Sequence, residues 1–167
     1  NNIISNFNEK PILNHYIGYA VFEPSLFNSL PKSIITLPDG FGVVEAIKHF
    51  MKFLPRTGKV VFATLSARVG SIQDNRLGGW VSYRSSKAAL NQIIKTASIE
   101  ASRKNPQSVL LALHPGTVLS ELTKRYIGNH RFVQPDEAAK NILKVIERKN
   151  YEDTGGFYAF DGTQVPY

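Results

Sequence analysis

The sequence predicts an α/β fold in which helices cover both faces of a parallel sheet. Three observations lead to this prediction. Two short apolar runs have the composition of buried strands, segments with helical periodicity separate them, and helices alternate with strands along the chain. This alternation is typical of a parallel sheet, because each strand returns to the sheet through a helical crossover.

The first elements follow in order from residue 41. Apolar residues recur at helical spacing in residues 41–54, so we predict an amphipathic helix that ends near Pro55. Residues 59–65 are apolar and rich in β-branched side chains, which is typical of a strand buried on both faces. Residues 80–104 are rich in Ala and Ile and predict a long helix, which Asn105-Pro106 would stop.

The remaining elements continue the alternation. Residues 108–114 read as a second buried strand that ends at Pro115-Gly116. Residues 117–127 predict a short helix over the strand ends. Residues 134–149 open with a proline and two acids, as helices do, and residues 155–162 predict a last strand.

Composition places the chain among ordinary globular proteins. Its 167 residues are 43% hydrophobic and 20% charged, and no apolar stretch is long enough to cross a membrane. The absence of cysteine excludes disulfides and thiolate zinc sites, and the four histidines show no metal-ligand spacing, so we predict no metal site. The net charge of +7 comes from scattered residues, which favours a solvated basic surface over a nucleic-acid site.

The stretch SYRSSKAAL places a tyrosine and a lysine on one face of the predicted long helix. Tyr83 and Lys87 are four residues apart, so their side chains lie above one another. A neighbouring ammonium favours the phenolate and lowers the pKa of a phenol. A tyrosine tuned in this way transfers a proton to or from a substrate oxygen near neutral pH. The alternative is a surface pair without chemistry.

The predicted topology gathers several polar residues around this pair. Ligands of open parallel sheets bind beyond the carboxyl ends of the strands. Ser66 and Ser71 follow the first strand, and Pro115-Gly116 follows the second. We therefore expect these residues to lie near Tyr83, at one edge of the sheet.

Together these motifs resemble a known enzyme family. The run LSARVGSIQDNRLGGWVSYRSSKAALNQ, followed by LALHPGTV, resembles the short-chain dehydrogenase/reductase family. The details GSIQDN, GGW, SYR and SKAALN, with the ending FYAFDGTQVPY, are similar to its C-factor-like branch. The resemblance implies the C-terminal half of a Rossmann-like, doubly wound parallel sheet. The many prolines and asparagines of residues 1–40 predict an irregular N-terminal segment, and the resemblance implies that residues 41–167 are the C-terminal part of the domain.

The resemblance also implies an activity and a role for each site residue. The activity is NAD(P)-dependent hydride transfer between nicotinamide and a small carbonyl or alcohol. Tyr83 corresponds to the general acid/base, and Lys87 to the residue that lowers its pKa and holds the nicotinamide ribose. A further four residues correspond to those that border the nicotinamide: Pro115, Gly116, Thr117 and Val118.

Two positions depart from the family pattern. Ala67 stands where the family usually has the serine that contacts the substrate oxygen. Ser71, in the turn after Gly70, is the better geometric candidate for that role, and Ser66 is the second. Asp39 stands where the family tends to place an asparagine.

A further departure concerns the cofactor-binding half of the fold. No G-x-x-x-G-x-G turn, which seats the cofactor pyrophosphate, occurs in these residues, and NNIIS resembles the end of the fourth strand of the family. The N-terminal dinucleotide-binding half is therefore expected to be absent from these residues, and NAD(P) to bind if the native protein contains it. The alternative is a catalytically inactive subunit with a structural role in a larger assembly.

The resemblance suggests partners as well. We expect a homo-oligomer formed through the Tyr–Lys helix, or a subunit of a larger complex. We expect a cytoplasmic protein, with a mitochondrial or other organelle matrix as the alternative.

Overall fold

The computed structural model describes residues 41–120, 123 and 132–167. The chain divides into one compact unit that ends at Leu54 and another that spans Pro55–Tyr167, and each is described by itself. In the first unit, helix α1 spans Phe41–Phe50. It ends four residues earlier than predicted, because a tighter turn follows in which the Phe53 amide donates to the Phe50 carbonyl at 3.0 Å.

The second unit contains a parallel sheet, as predicted. Strands β1 (Val60–Leu65), β2 (Ser108–His114) and β3 (Gly156–Ala159) lie side by side in that order. Strand β3 is shorter than the predicted run 155–162, because the chain turns back after Ala159, whose amide donates to the Thr163 carbonyl at 2.8 Å.

The prediction that β1 is buried on both faces was wrong. Only Phe62 of this strand is buried, whereas β2 is buried along almost its whole length. Among the described residues β1 pairs with β2 alone and therefore lies at one edge of the described part of the sheet. The composition of a strand indicates its apolar character, but its burial depends on how many strands and helices pack against it.

Two helices cover opposite faces of this sheet. Helix α2 spans Val81–Lys104 and packs against β2. Helix α3 spans Pro135–Arg148 and turns its apolar side, which includes Ile142 and Val145, onto the other face. Each face of β2 thus meets one helix, since successive strand residues point to opposite sides. This arrangement confirms the predicted α/β fold.

The core beneath α3 is a single apolar cluster, formed by Val109, Leu111, Leu113, Ile142, Val145 and Tyr158. At the opposite end of the unit, Asn105 ends helix α2 and ties it to the chain before β1. Its side-chain amide donates to the carbonyls of Pro55 at 3.0 Å and Gly58 at 2.9 Å. These bonds fix the position of α2 along the strand direction. They therefore help to place the N-terminal turns of the helix at the carboxyl end of β1.

Two predicted segments lie wholly or largely outside the described residues: the irregular segment 1–40 and the short helix 117–127. At the start of the latter, Val118 forms a parallel bridge with Val133. No helix in the described part of the chain is both long and apolar enough to cross a bilayer. The same residues contain no cluster of three or more metal-ligating side chains.

Candidate active site at the carboxyl ends of the strands

Lys87 directs its amine to the carboxyl end of β1. The side chain leaves the inner face of α2, is only 5% exposed, and donates from Nζ to the Leu65 carbonyl at 3.1 Å. Burial lowers the pKa of this lysine, because removal from water disfavours the charged form. The structure therefore places a desolvated amine at the edge where the topology predicted a ligand site.

Tyr83 lies one helical turn before Lys87, in the first turn of α2, and is half-buried. The helix begins directly after Trp80, which adopts a left-handed conformation with φ +49° and ψ 42°. The first helical bond joins the Arg84 amide to the Trp80 carbonyl at 2.9 Å. The abrupt left-handed entry thus fixes where the helix starts and which face carries Tyr83.

Ser66 follows β1 and is tied to the interior of the domain. Its amide donates to the Leu113 carbonyl at 2.7 Å, and its hydroxyl donates to Oδ1 of Asn91 at 2.6 Å. Asn91 lies one turn beyond Lys87 on the same helix and is buried. The Ser66 hydroxyl is therefore paired with a buried side-chain amide inside the domain.

Ser71 lies just after a short 3-10 turn, Arg68–Gly70, and is 1% exposed. Its hydroxyl oxygen accepts from the Asp74 amide at 3.0 Å. An ion pair between Arg68 Nε and Asp74 Oδ2, at 2.6 Å, closes the loop around it. Because Ser71 is the acceptor in this contact, its O–H group is still able to donate a hydrogen bond.

Gly70 brings the Ser71 turn against the helix. A Cβ at this position would lie 2.7 Å from the Lys87 Cβ and 2.8 Å from the Lys87 carbonyl carbon. Such a separation is too short for any residue other than glycine. Ser71 and Lys87 are thus neighbours through the backbone of Gly70, a proximity that is absent from the sequence pattern.

The turn after β2 forms the other side of this edge. Pro115 and Gly116 follow the last residue of the strand, and Thr117 is exposed. Gly116 has φ +83°, and a Cβ there would approach the Phe160 ring to 3.2 Å. The glycine is therefore required by its backbone conformation and by Phe160.

His114 is a neutral histidine at the end of β2. Its Nδ1 is buried and has no hydrogen-bond partner among the described residues. Desolvation, followed by the positive charge of Arg68, lowers its pKa to about 4, against a smaller opposing effect of Asp161. Its ring packs edge-on against Phe160. These contacts favour a packing role.

Replacing His114 with Gln is expected to remove part of the acid sensitivity of folding. Because the folded state binds the proton only near pH 4 and the unfolded state near pH 6.5, His114 costs stability as pH falls through that window. The loss reaches up to about 3 kcal/mol at its lower end. Urea unfolding at pH 7.5 and pH 4.5 measures the change for wild type and His114→Gln. An equal change in both proteins would contradict the assignment.

The structure gives a place in the candidate site to three residues that the sequence analysis did not assign to it. Asn91 continues the helical spacing of Tyr83 and Lys87, so the i, i+4, i+8 pattern was a signal for it. Gly70 and Arg84 had no such signal, since their roles depend on loops folded against the helix. Arg84 is bonded to loop carbonyls on two segments.

Proteins of known sequence are similar to most of this chain. No family model matches the chain. It is 40% identical over 122 residues to 1-hydroxy-2-glutathionyl-2-methyl-3-butene dehydrogenase of Rhodococcus sp. strain AD45, which covers 73% of this chain and 52% of that protein. It is 33% identical over 105 residues to C-signal of Myxococcus xanthus, covering 63% and 60%. The chain thus spans about half the length of the first of these relatives.

Solved structures of oxidoreductases share the fold of this chain. An NADPH-bound carbonyl reductase from chicken fatty liver has 26% identity and a TM-score of 0.66, over 92% of this chain and 64% of that one. A short-chain dehydrogenase/reductase from Burkholderia multivorans, with bound NADP, shares the fold with 22% identity and a TM-score of 0.61, over 84% and 58%. With the motifs around Tyr83 and Lys87, these similarities show that the chain belongs to the short-chain dehydrogenase/reductase family and has the fold of its C-terminal part.

Proposed function

We propose that the protein is an NAD(P)-dependent oxidoreductase that interconverts a small carbonyl compound and its alcohol. The observation that carries this proposal is the position of Lys87, buried at the carboxyl end of β1 and one helical turn after Tyr83. An amine in this position costs desolvation free energy. A role of the amine in the reaction at the sheet edge would explain why Lys87 is buried there. On this proposal, residues 41–167 form the C-terminal part of the catalytic domain.

Tyr83 is the proposed proton donor to the carbonyl oxygen, and the acceptor in the reverse direction. A phenol has an ordinary pKa near 10. On this proposal the positive charge of Lys87, one helical turn away, stabilises the phenolate that forms when Tyr83 gives up its proton. A donor whose pKa lies closer to the working pH transfers its proton more effectively in both directions.

The residues at the strand ends fit the nicotinamide ribose of such a cofactor. Lys87 supplies an ammonium donor for ribose hydroxyls, and the turn at Pro115-Gly116 borders the same edge. Thr117 and Val118 extend this border. The bound cofactor supplies the hydride, and this chain would hold the ribose and exclude water.

Ser71 is the proposed hydrogen-bond donor to the substrate oxygen. Its hydroxyl accepts from Asp74 and retains a proton for donation. The Ser66 hydroxyl, by contrast, already donates to Asn91. The hydrogen-bond directions therefore favour Ser71 over Ser66 for the role that the family usually assigns to a serine.

Exchanging each serine for alanine separates the two assignments. Ser71→Ala is expected to lower kcat/KM by about 10²-fold, since one donor to the developing oxyanion is lost. Ser66→Ala is expected to leave kcat/KM within a few fold and to lower the free energy of unfolding by about 1–2 kcal/mol, because Asn91 loses its buried partner. The reverse pattern would assign the catalytic role to Ser66.

The proposed function is tested on the full-length protein with NADPH, NADH and a panel of aldehydes, ketones and alcohols. Turnover with either cofactor supports it. Cofactor binding without turnover of any panel member, or no binding at all, would reject it in favour of the inactive structural subunit, for which Ala67 in the usual serine position is the favouring observation.

A further inference from the structure

We infer that Arg84 is a positioning residue that holds two loops of the active site in register with Tyr83. The inference rests on the proposed function only for its link to catalysis. Arg84 follows Tyr83 directly in the first turn of α2 and is half-buried. Its guanidinium reaches segments that lie up to fifteen residues earlier in the chain.

The guanidinium contacts three backbone carbonyls on two separate segments. Nε lies 2.9 Å from the Gly79 carbonyl and 3.1 Å from the Gly78 carbonyl, and Nη2 lies 3.0 Å from the latter. Nη1 donates to the Val69 carbonyl at 3.2 Å. Arginine suits this geometry, because its planar fork presents several donors at fixed angles, whereas lysine presents one point charge.

The segment that contains Val69 is the turn that precedes Ser71. Val69 belongs to the 3-10 turn, and the next residue, Gly70, packs its backbone against Lys87. A bond from Arg84 to the Val69 carbonyl therefore fixes the Ser71 turn to the helix that carries Tyr83 and Lys87. Loss of that bond would let the turn move relative to the proton donor.

The segment that contains Gly78 and Gly79 leads into the helix and carries Trp80. Gly78, Gly79 and Trp80 adopt positive φ angles of 64°, 70° and 49° in succession. A bulky side chain rarely adopts such a φ, so the surrounding contacts must hold it there. The bonds of Arg84 to the two glycine carbonyls are contacts of this kind. Trp80 is 62% exposed, at the start of the helix beside Tyr83.

Arg84→Ala in the full-length protein tests the inference with two independent readouts. Trp80 is the single tryptophan of this chain. The difference in fluorescence between the protein with and without the Trp80→Phe substitution therefore isolates the signal of Trp80. We expect the fluorescence anisotropy of Trp80 to fall, because the segment gains nanosecond motion. We expect kcat/KM to fall about 10–100-fold, as reacting groups drift from alignment. Guanidinium ion at a sub-denaturing concentration is expected to restore part of both.

Control variants make the outcome decisive. Arg76→Met changes an exposed arginine in the same loop region and is expected to alter neither readout. Arg84→Lys keeps the charge but not the fork, and is expected to behave like Arg84→Ala. If Arg84→Ala fails to fold by circular dichroism, Arg84→Lys decides the question by the same measurements.

The results separate this inference from the proposed function. An unchanged Trp80 anisotropy in the folded Arg84 variants would overturn it, and so would a lowered anisotropy with unchanged kcat/KM. Wild-type protein without activity would reject the proposed function, and the Trp80 anisotropy would then decide alone whether Arg84 holds the loops.

Discussion

Replacing Tyr83 with Phe is expected to lower kcat/KM for carbonyl reduction by about 10²–10⁴-fold, the usual contribution of a positioned acid/base. The change removes one oxygen and keeps the ring, so packing at the start of α2 is preserved. The loss should appear mainly in kcat, since the phenol acts on the reacting oxygen and not on cofactor binding. Steady-state kinetics of the full-length protein, with NADPH affinity measured in parallel, check this expectation.

Tyr151→Phe is the matched control for this variant. Tyr151 lies in the 3-10 turn before β3 and is 57% exposed. Removal of its hydroxyl is expected to change kcat/KM by less than about twofold. If Tyr83→Phe and Tyr151→Phe behaved alike, Tyr83 would have no part in proton transfer.

Lys87→Met is expected to separate activity from stability. Activity falls by about 10²-fold or more, because the phenolate that forms on proton transfer loses a stabilising cation. Stability at pH 7 is expected to increase by on the order of 1 kcal/mol, since a buried charge gives way to an apolar chain of similar length.

The sign of the stability effect follows from the pKa. Burial lowers the pKa of Lys87 in the folded state, so below its ordinary value of 10.5 the unfolded state holds the proton more tightly. Lys87 therefore costs stability at neutral pH, and the cost disappears as pH rises toward that ordinary value. Urea unfolding of wild type and Lys87→Met at pH 7 and pH 10 should show a difference that shrinks at the higher pH.

Lys95→Met is the matched control. Lys95 lies two turns further along the same helix and is exposed. Its replacement is expected to leave kcat/KM unchanged, because the side chain is exposed and lies two turns from Lys87. Equal effects of the two methionine variants would mean that the contribution of Lys87 is that of any surface charge.

The sequence alone determined the elements and the face on which the chemistry lies. Strand β2 was predicted with its observed bounds, and α2 and α3 began and ended within one residue of prediction. The spacing of Tyr83 and Lys87 decided that they share a helix face, since 3.6 residues complete a turn. These features are local, so the residues that form them also encode them.

Only the tertiary structure decided which neighbours complete the site. The bond that commits Ser66 to Asn91 joins residues 25 positions apart, and the one from Arg84 to Val69 joins residues 15 apart. Ser66 and Ser71 are equivalent as residue types, and what distinguishes them is the direction of one hydrogen bond each. Burial of β1 was likewise decided by its place at the edge of the described sheet. Contacts of this kind arise when separate segments pack together, and no periodicity within one segment records them.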